Sequence, residues 1–412
     1  MTESSLERIT TTEYELYQAD PISLGDRLFR SFVFGSFAAA TQMIRHFTTE
    51  HFSIEGLEAV FNKEDGTKPP YLLLIQHSTW HDFSNIFPVW FSFPAGHHFT
   101  ALTRKDYFPK IPALNALANA LASAVSLPVY GISSEKAASA EEIERRNALN
   151  KEVQEQVIAA YAKGISVALT PEGTSKGNGR ISPIRSGAYH YSYFATEEGL
   201  YAVPCVSFGV TYDFLSGKGK EGKEGKEGKE GRRKQRVFVR VSQPFVYTPV
   251  PEMEGEEATA YQHRDKEAFN QRIRDAFIDL NTITAAQLAS IFIYDKLRRG
   301  ERFTTFGEFQ AKIHYMTQSL VTVSGICMDP ILLDQEQRGE RLFSLYRALI
   351  KERYLAPTSY GHHSICQSRA QQEPTSLAAF KKENILLHTY NKIAEVMEER
   401  PRIRELIEIG LR

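Results

Sequence analysis

Cysteine is scarce: Cys205, Cys327 and Cys366 are the only three in 412 residues. They are odd in number, far apart and form no C-x-x-C pair, which excludes a disulfide framework or a thiolate zinc site and points to a reducing compartment. No charge of one sign dominates either. Forty-nine Lys and Arg stand against fifty Asp and Glu, so no global field draws the chain to nucleic acid, and none is expected as a partner. Long apolar runs are also missing. Ser31 to Ile44 is uncharged but short of the ~20 residues a spanning helix needs. The longer uncharged stretch from Ile111 to Ser134 contains Pro112, Asn115, Asn119 and Pro128, a poor surface for lipid. The first twenty residues lack an apolar core and carry acidic residues, unlike a secretory signal or a transit peptide.

What remains is an ordinary globular composition, 42% apolar and 24% charged, in a chain long enough for two domains or one elaborated one at ~150 residues each. Short β-rich runs recur at residues 71–76, 98–103, 126–131, 165–170, 202–212 and 236–245. A charged helical stretch spans 140–164, with Lys163 near its end and Gly164 as its stop signal. Strand and helix in alternation predict an α/β fold with a mixed, largely parallel sheet flanked by helices. Its sites belong beyond the carboxyl ends of the strands. After Ala258 the strand signals fade and helices are expected at 268–278, 285–298, 306–320, 340–353 and 377–398. The domain reading is an N-terminal helical segment at 1–56, an α/β domain at 57–280 and a C-terminal helical region at 281–412. Within the α/β domain, Gly217 to Arg236 repeats Gly, Lys and Glu with nine cations against four Glu. Its glycines disfavour both burial and helix, so it reads as a flexible basic insertion, a solvated linker or a contact for anionic lipid.

Two clusters carry chemistry. The first, HSTWHDF, directly follows the strand YLLLIQ and sets His77, His81 and Asp82 at a strand end. His77 and Asp82 are five apart and would diverge on one continuous helix. A turn between strand and helix lets them meet, with Asp82 orienting the imidazole and the other ring nitrogen left to act as a base. The second cluster, LTPEGTSKGNGRISPIRSGAYH, follows the strand ISVALT and brings Lys176, Arg180 and Arg185 into a Gly-rich segment. Backbone amides and cations in such a loop suit a phosphate.

HSTWHD, then PEGTSKGNGRISPIRSGA about ninety residues later, then AVPCV, resembles the glycerolipid acyltransferase family, which includes glycerol-3-phosphate and lysophosphatidate acyltransferases. The likeness covers roughly residues 57 to 250. It implies that His77 is the general base and Asp82 its partner. Glu172, Gly173 and Thr174 would bind the acceptor, with Lys176, Arg180 and Arg185 at its phosphate, and Val203 and Pro204 would belong to a substrate pocket. The implied reaction moves a fatty acyl group from a CoA or acyl-carrier-protein thioester to a hydroxyl of glycerol 3-phosphate or a lysophospholipid, in phospholipid synthesis. It needs neither metal nor redox cofactor. The chain departs from the family at Gln76, where Asn is usual, and at Tyr130 and Ser175, where Arg is usual. Two alternatives stay open. One is a metal-dependent hydrolase using His77, His81 and Asp82; the other is a catalytically silent lipid-binding protein of the same fold.

An enzyme making lipids without a spanning helix is expected in the cytoplasm, on the membrane surface. Three segments could reach the bilayer: residues 30–45 with Phe32, Phe34 and Phe37; the stripe Leu114, Leu117, Leu121 and Val125; and the basic insertion.

Overall fold

The computed structural model describes residues 49–58, 70–77, 98–104, 126–129, 139–173, 177–195, 200–215, 235–376 and 380–412, with Glu15, Leu16 and isolated positions between 25 and 46. Seven strands form the main sheet: β1 (Thr49–Glu55), β2 (Leu72–Ile75), β3 (His98–Arg104), β4 (Ser126–Val129), β5 (Ile165–Leu169), β6 (Cys205–Asp213) and β7 (Gln235–Val241). Their spatial order is β1-β7-β6-β2-β5-β3-β4. The run β6-β2-β5-β3-β4 is parallel throughout, while β7 pairs antiparallel with β6 and parallel with β1. The α/β class with a largely parallel, mixed sheet is thus as the sequence indicates.

Strand composition explains which face each residue takes. Both faces of a parallel sheet are covered, so its strands are apolar at consecutive positions rather than alternating ones. Leu72 and Leu74 join one core cluster while Leu73 and Ile75 join the other, and Val167 and Ala168 divide in the same way. The first of these faces receives helix α1 (Ala140–Ala162) through Val153, Val157 and Tyr161. The helix ends where the sequence places its stop, with Gly164 at a φ of 67°.

Helix α2 (Gly187–Tyr191) lies between β5 and β6, and the sheet is followed by α3 (Ala258–Asp279), α4 (Ala285–Arg298), α5 (Phe306–Val321), α6 (Gln335–Lys351), α7 (Ile385–Glu399) and α8 (Pro401–Leu411). Four of them start at side-chain caps. Thr284 accepts from the Gln287 amide in a capping box, Thr305 from Glu308, Asp334 from Gln337, and Asn384 from Leu387. Where the sequence reads one helix over 377–398, the Asn384 cap, at φ −146° and ψ 77°, starts α7 at Ile385 after a short helix at Phe380–Glu383. Pro401 ends α7, because the residue before a proline avoids helical geometry, and Arg400 lies at φ −126°, ψ 81°.

Two domain boundaries need correction. Thr49–Glu55 belongs to the expected N-terminal helical segment, yet it pairs with β7 as an edge strand of the main sheet. The described positions between Gly25 and His46 are helical, so the helical segment ends before Thr49. The boundary at 281 does not separate two cores. One apolar cluster runs from Leu72 and Leu74 in β2 to Leu288 and Phe292 in α4, Leu345 in α6, Ile393 in α7 and Leu411 in α8.

Buried charge crosses the same boundary. The Arg236 guanidinium donates to both oxygens of Asp329, at 2.9 and 2.7 Å, with side chains 8% and 0% exposed. Arg236 was expected inside the solvated basic insertion; it is instead in β7, fixed by a carboxylate from the helical region. Arg341 of α6 bonds Asp213 at the end of β6 at 3.3 Å. Both strands that flank the insertion are therefore tied to the C-terminal helices. Residues 217–234 lie outside the described residues.

Removing one member of a buried pair strands the other charge, at a cost of ~3–5 kcal/mol. Asp329→Ala is expected to lower the urea-unfolding stability by about that much, whereas Lys234→Ala, on the insertion side of β7, should leave it within ~0.5 kcal/mol. Equal losses from the two variants would remove this pair from the account of how the halves are held.

Candidate functional site

β2 and β5 are neighbours in register, Leu72 opposite Val167 and Leu74 opposite Leu169, so their carboxyl ends lie side by side. The chain leaves β2 for β3 on one side and leaves β5 for β6 on the other. This reversal of strand order marks the usual ligand position in an open α/β sheet. His77 follows β2 here, half-buried, and Thr170 to Gly173 turn away from β5.

Glu172 joins the two ends. Its carboxyl group is 1% exposed. Oε1 accepts from the His77 amide at 2.7 Å and Oε2 from the Ser182 amide at 2.6 Å. The side chain thus links the first motif to the far end of the second motif's loop. Burial pushes the Glu172 pKa up to about 7, while the two amide donors and the charges of Lys392 and His77 favour the ionised form and oppose that rise. Both oxygens are engaged by the protein's own amides, so Glu172 shapes the site and does not present its carboxylate to an acceptor.

The turn geometry needs glycine once. Gly173 has φ 67°, and its amide donates to Thr170 O at 2.9 Å. The Arg185 amide donates to Pro171 O at 2.7 Å, and a Cβ on Gly173 would meet Arg185 Cγ at 3.3 Å. The Arg185 stem therefore lies across the glycine, with the residue exposed to solvent.

The other residues named from sequence are placed differently. Arg180 forms a two-pronged ion pair with Glu398 of α7, both contacts at 2.8 Å, so its charge is already matched by the protein. Val203 is fully buried and donates its amide to Ser192 O, and Pro204 O accepts from the Leu72 amide at 2.9 Å. Leu72 begins β2 and Gln76 follows its end, so Val203 and Pro204 are at the opposite, amino end of the strands. At ~3.3 Å per residue, the four residues from Pro204 to Phe208, whose carbonyl accepts the Gln76 amide, place them about 13 Å from the His77 end. The structure does not bring Val203 and Pro204 to this site. Asp82, His81, Thr174, Lys176, Tyr130 and Ser175 lie outside the described residues. Among the described residues no group of three or more His, Cys, Asp and Glu is arranged to hold a metal.

Sequence reasoning expected a helix over 377–398 but missed that it closes the second loop. Along α7, Asn391 donates to Asn178 O at 3.0 Å, Glu395 accepts from the Ile181 amide at 2.7 Å, and Glu398 holds Arg180. Arg274 of α3 secures Glu395 from behind. Gly179, at φ 91°, touches this helix so closely that a Cβ would sit 2.2 Å from His388 O. The Lys392 amine donates to Gln76 Oε1 at 3.1 Å and to Val210 O at 3.2 Å. Only the spacing Asn391, Lys392, Glu395 and Glu398, at helical intervals, hints at this in the sequence.

Comparison with known proteins gives no family model that matches the chain and no curated protein that matches it significantly.

The Glu172 environment makes a stability forecast. The folded carboxyl titrates near 7 against an ordinary 4.5. Between those values the unfolded chain has lost a proton that the folded chain keeps, so stability falls as pH rises through this window and levels off above it. At ~1.4 kcal/mol per pH unit the fall is about 3 kcal/mol. Urea unfolding of wild type and Glu172→Gln at pH 4.5 and pH 8 isolates it: wild type minus variant should drop by about 3 kcal/mol between the two. A pH-independent difference would mean that the carboxyl titrates at the same pKa in the folded and the unfolded chain.

Proposed function

We propose that the protein is an O-acyltransferase that moves a fatty acyl group from a CoA or acyl-carrier-protein thioester to a glycerolipid hydroxyl, glycerol 3-phosphate or a lysophospholipid. One observation carries the reading most: Glu172 of the PEGT segment ties its loop directly to the His77 amide, at neighbouring carboxyl ends of a parallel sheet. The two motifs of the resemblance are thus one site, in the place where such sheets bind ligands.

In this mechanism the His77 ring takes the proton from the acceptor hydroxyl, and Asp82 orients the ring. The oxygen attacks the thioester carbonyl carbon, the new C–O bond forms as the C–S bond breaks, and the proton passes to the departing thiolate. No covalent enzyme intermediate is required. Of the loop cations, Arg185 best fits an acceptor phosphate. It is exposed beside Gly173, and no hydrogen bond or ion pair engages its guanidinium among the described residues. Arg180 is assigned to Glu398 and drops from the acceptor set.

The membrane is the proposed second partner. Among the described residues no helix is long and apolar enough to cross one. Leu28, Phe32 and Met43, at helical positions before β1, are 63%, 71% and 62% exposed and would supply apolar contact from one side. Phe34, Phe37 and the stripe from Leu114 to Val125 lie outside the described residues.

General-base catalysis contributes ~10²- to 10⁴-fold. His77→Ala should therefore lower turnover of a labelled acyl thioester with a glycerol 3-phosphate or lysolipid acceptor by that range, with the fold intact by circular dichroism. A folded, fully active variant would sink the mechanism. Arg185→Ala should raise the KM of a phosphate-bearing acceptor about ten- to a hundredfold, from the ~1.5–3 kcal/mol of a charge-assisted contact, with the donor KM unchanged. The same loss with a phosphate-free acceptor would make Arg185 structural.

A further inference from the structure

We propose that Lys392, on the C-terminal helix α7, is a positioning residue of the acyl-transfer site: it holds Gln76 and thereby the backbone turn from which His77 projects. The inference deepens the acyltransferase reading and rests on it for its kinetic consequence alone.

The geometry is a chain of contacts into the motif. Gln76 is 3% exposed, and its amide is fixed to Phe208 O at 3.0 Å. Its side-chain oxygen accepts at once from the Val210 amide at 3.3 Å and from the Lys392 amine at 3.1 Å. The same amine reaches Val210 O at 3.2 Å. Gln76 is thus pinned across β6 by a cation from a helix 316 positions away in sequence. His77 is the next residue, and its own amide is held by Glu172. Two adjacent residues are therefore constrained, His77 through its peptide amide by the PEGT carboxyl and Gln76 through its side chain by the C-terminal helix.

A lysine reaches such a point only if its helix is fixed. Asn391, Glu395 and Glu398 fix α7 to residues 178–181, and Gly179 permits the close approach. The charge also has a purpose that a neutral donor would lack, since Lys392 favours the ionised state of the nearby Glu172 carboxyl. The groups facing that carboxyl among the described residues are His77 from the end of β2 and Lys392 from α7. One amine thus supports both braces of the His77 turn.

The test uses the full-length protein with Lys392→Met, Lys392→Arg and Gln76→Leu. The carbon-13 resonance of the His77 ring, assigned as the one lost in His77→Ala, reports position without relying on any activity. Lys392→Met should shift it and Lys392→Arg should largely restore it. Turnover should fall about ten- to a hundredfold in Lys392→Met with both KM values within about twofold, since a misplacement of ~1 Å costs up to ~10² in rate. Adding Lys392→Met to Gln76→Leu should cost little more, because the two act through one contact. An unmoved His77 resonance in folded Lys392→Met overturns the proposal, as does a change confined to KM or full additivity with Gln76→Leu. A shifted resonance in a protein whose wild type transfers no acyl group to any acceptor supports the positioning role and overturns the acyltransferase reading instead. Should Lys392→Met fail to fold, Lys392→Gln, which keeps a donor without the charge, replaces it under the same criteria.

Discussion

A single buried carboxyl group, that of Glu172, holds two strand ends in one arrangement. Its two oxygens accept from amides on two different segments, His77 after β2 and Ser182 beyond the PEGT turn. A buried amide left without an acceptor costs ~1–3 kcal/mol, and here one side chain accepts from two of them. The same contact explains why a carboxylic acid is tolerated at 1% exposure: desolvation raises its pKa, and the donors and the nearby lysine counter part of that rise.

The remaining fold supports this joint from outside the sheet. A loop of seventeen residues from Pro171 to Gly187 would be free to move if only its ends were fixed. Here its middle is fastened to α7, and α7 in turn packs through Ile393 and Val396 into the core shared with the sheet. The helical region is therefore part of the candidate site's wall. The Arg236–Asp329 and Arg341–Asp213 pairs add two more ties, at the carboxyl end of β6 and the start of β7. Each lies between an element before residue 281 and one after it, which is why a boundary drawn from the fading of strand signals does not separate folding units.

Much of the sheet was legible because its signal is local. LLLI and ISVAL are continuous apolar runs of strand length, and they appear as β2 and β5 within a residue or two of their expected ends. Thr49–Glu55 was not legible, since TEHFSIE has only two apolar residues, Phe52 and Ile54. It is an edge strand, with β7 on one side alone, so much of its length is not fully buried. The candidate site divides in the same way. The position of His77 and the PEGT turn at neighbouring strand ends followed from strand–turn patterns in sequence. Val203 and Pro204 were misassigned because a motif gives sequence order and not strand direction; they precede β6, and in a parallel sheet the start of a strand is remote from the end of its neighbour. The partners of Arg180 and Gln76 lie 218 and 316 positions away, beyond the reach of any local pattern.

The departures from the resembled family take on a physical meaning at this point. The family's usual Asn before the histidine is shorter by one methylene than Gln76. The longer side chain places its oxygen where both the Val210 amide and the Lys392 amine reach it. Where the family usually has an arginine after the PEGT threonine, this chain has Ser175, which removes a cation from the loop. Lys392 brings a cation to the neighbourhood of Glu172 from α7. On the acyltransferase reading, the loop keeps Arg185 for the acceptor and leaves to the helical region the charge that supports its buried carboxyl. The C-terminal helices then become a requirement of the site: without α7, Gln76 loses a donor, Glu172 loses the charge of Lys392, and the loop carrying Arg185 loses its fastenings at Asn178, Arg180 and Ile181.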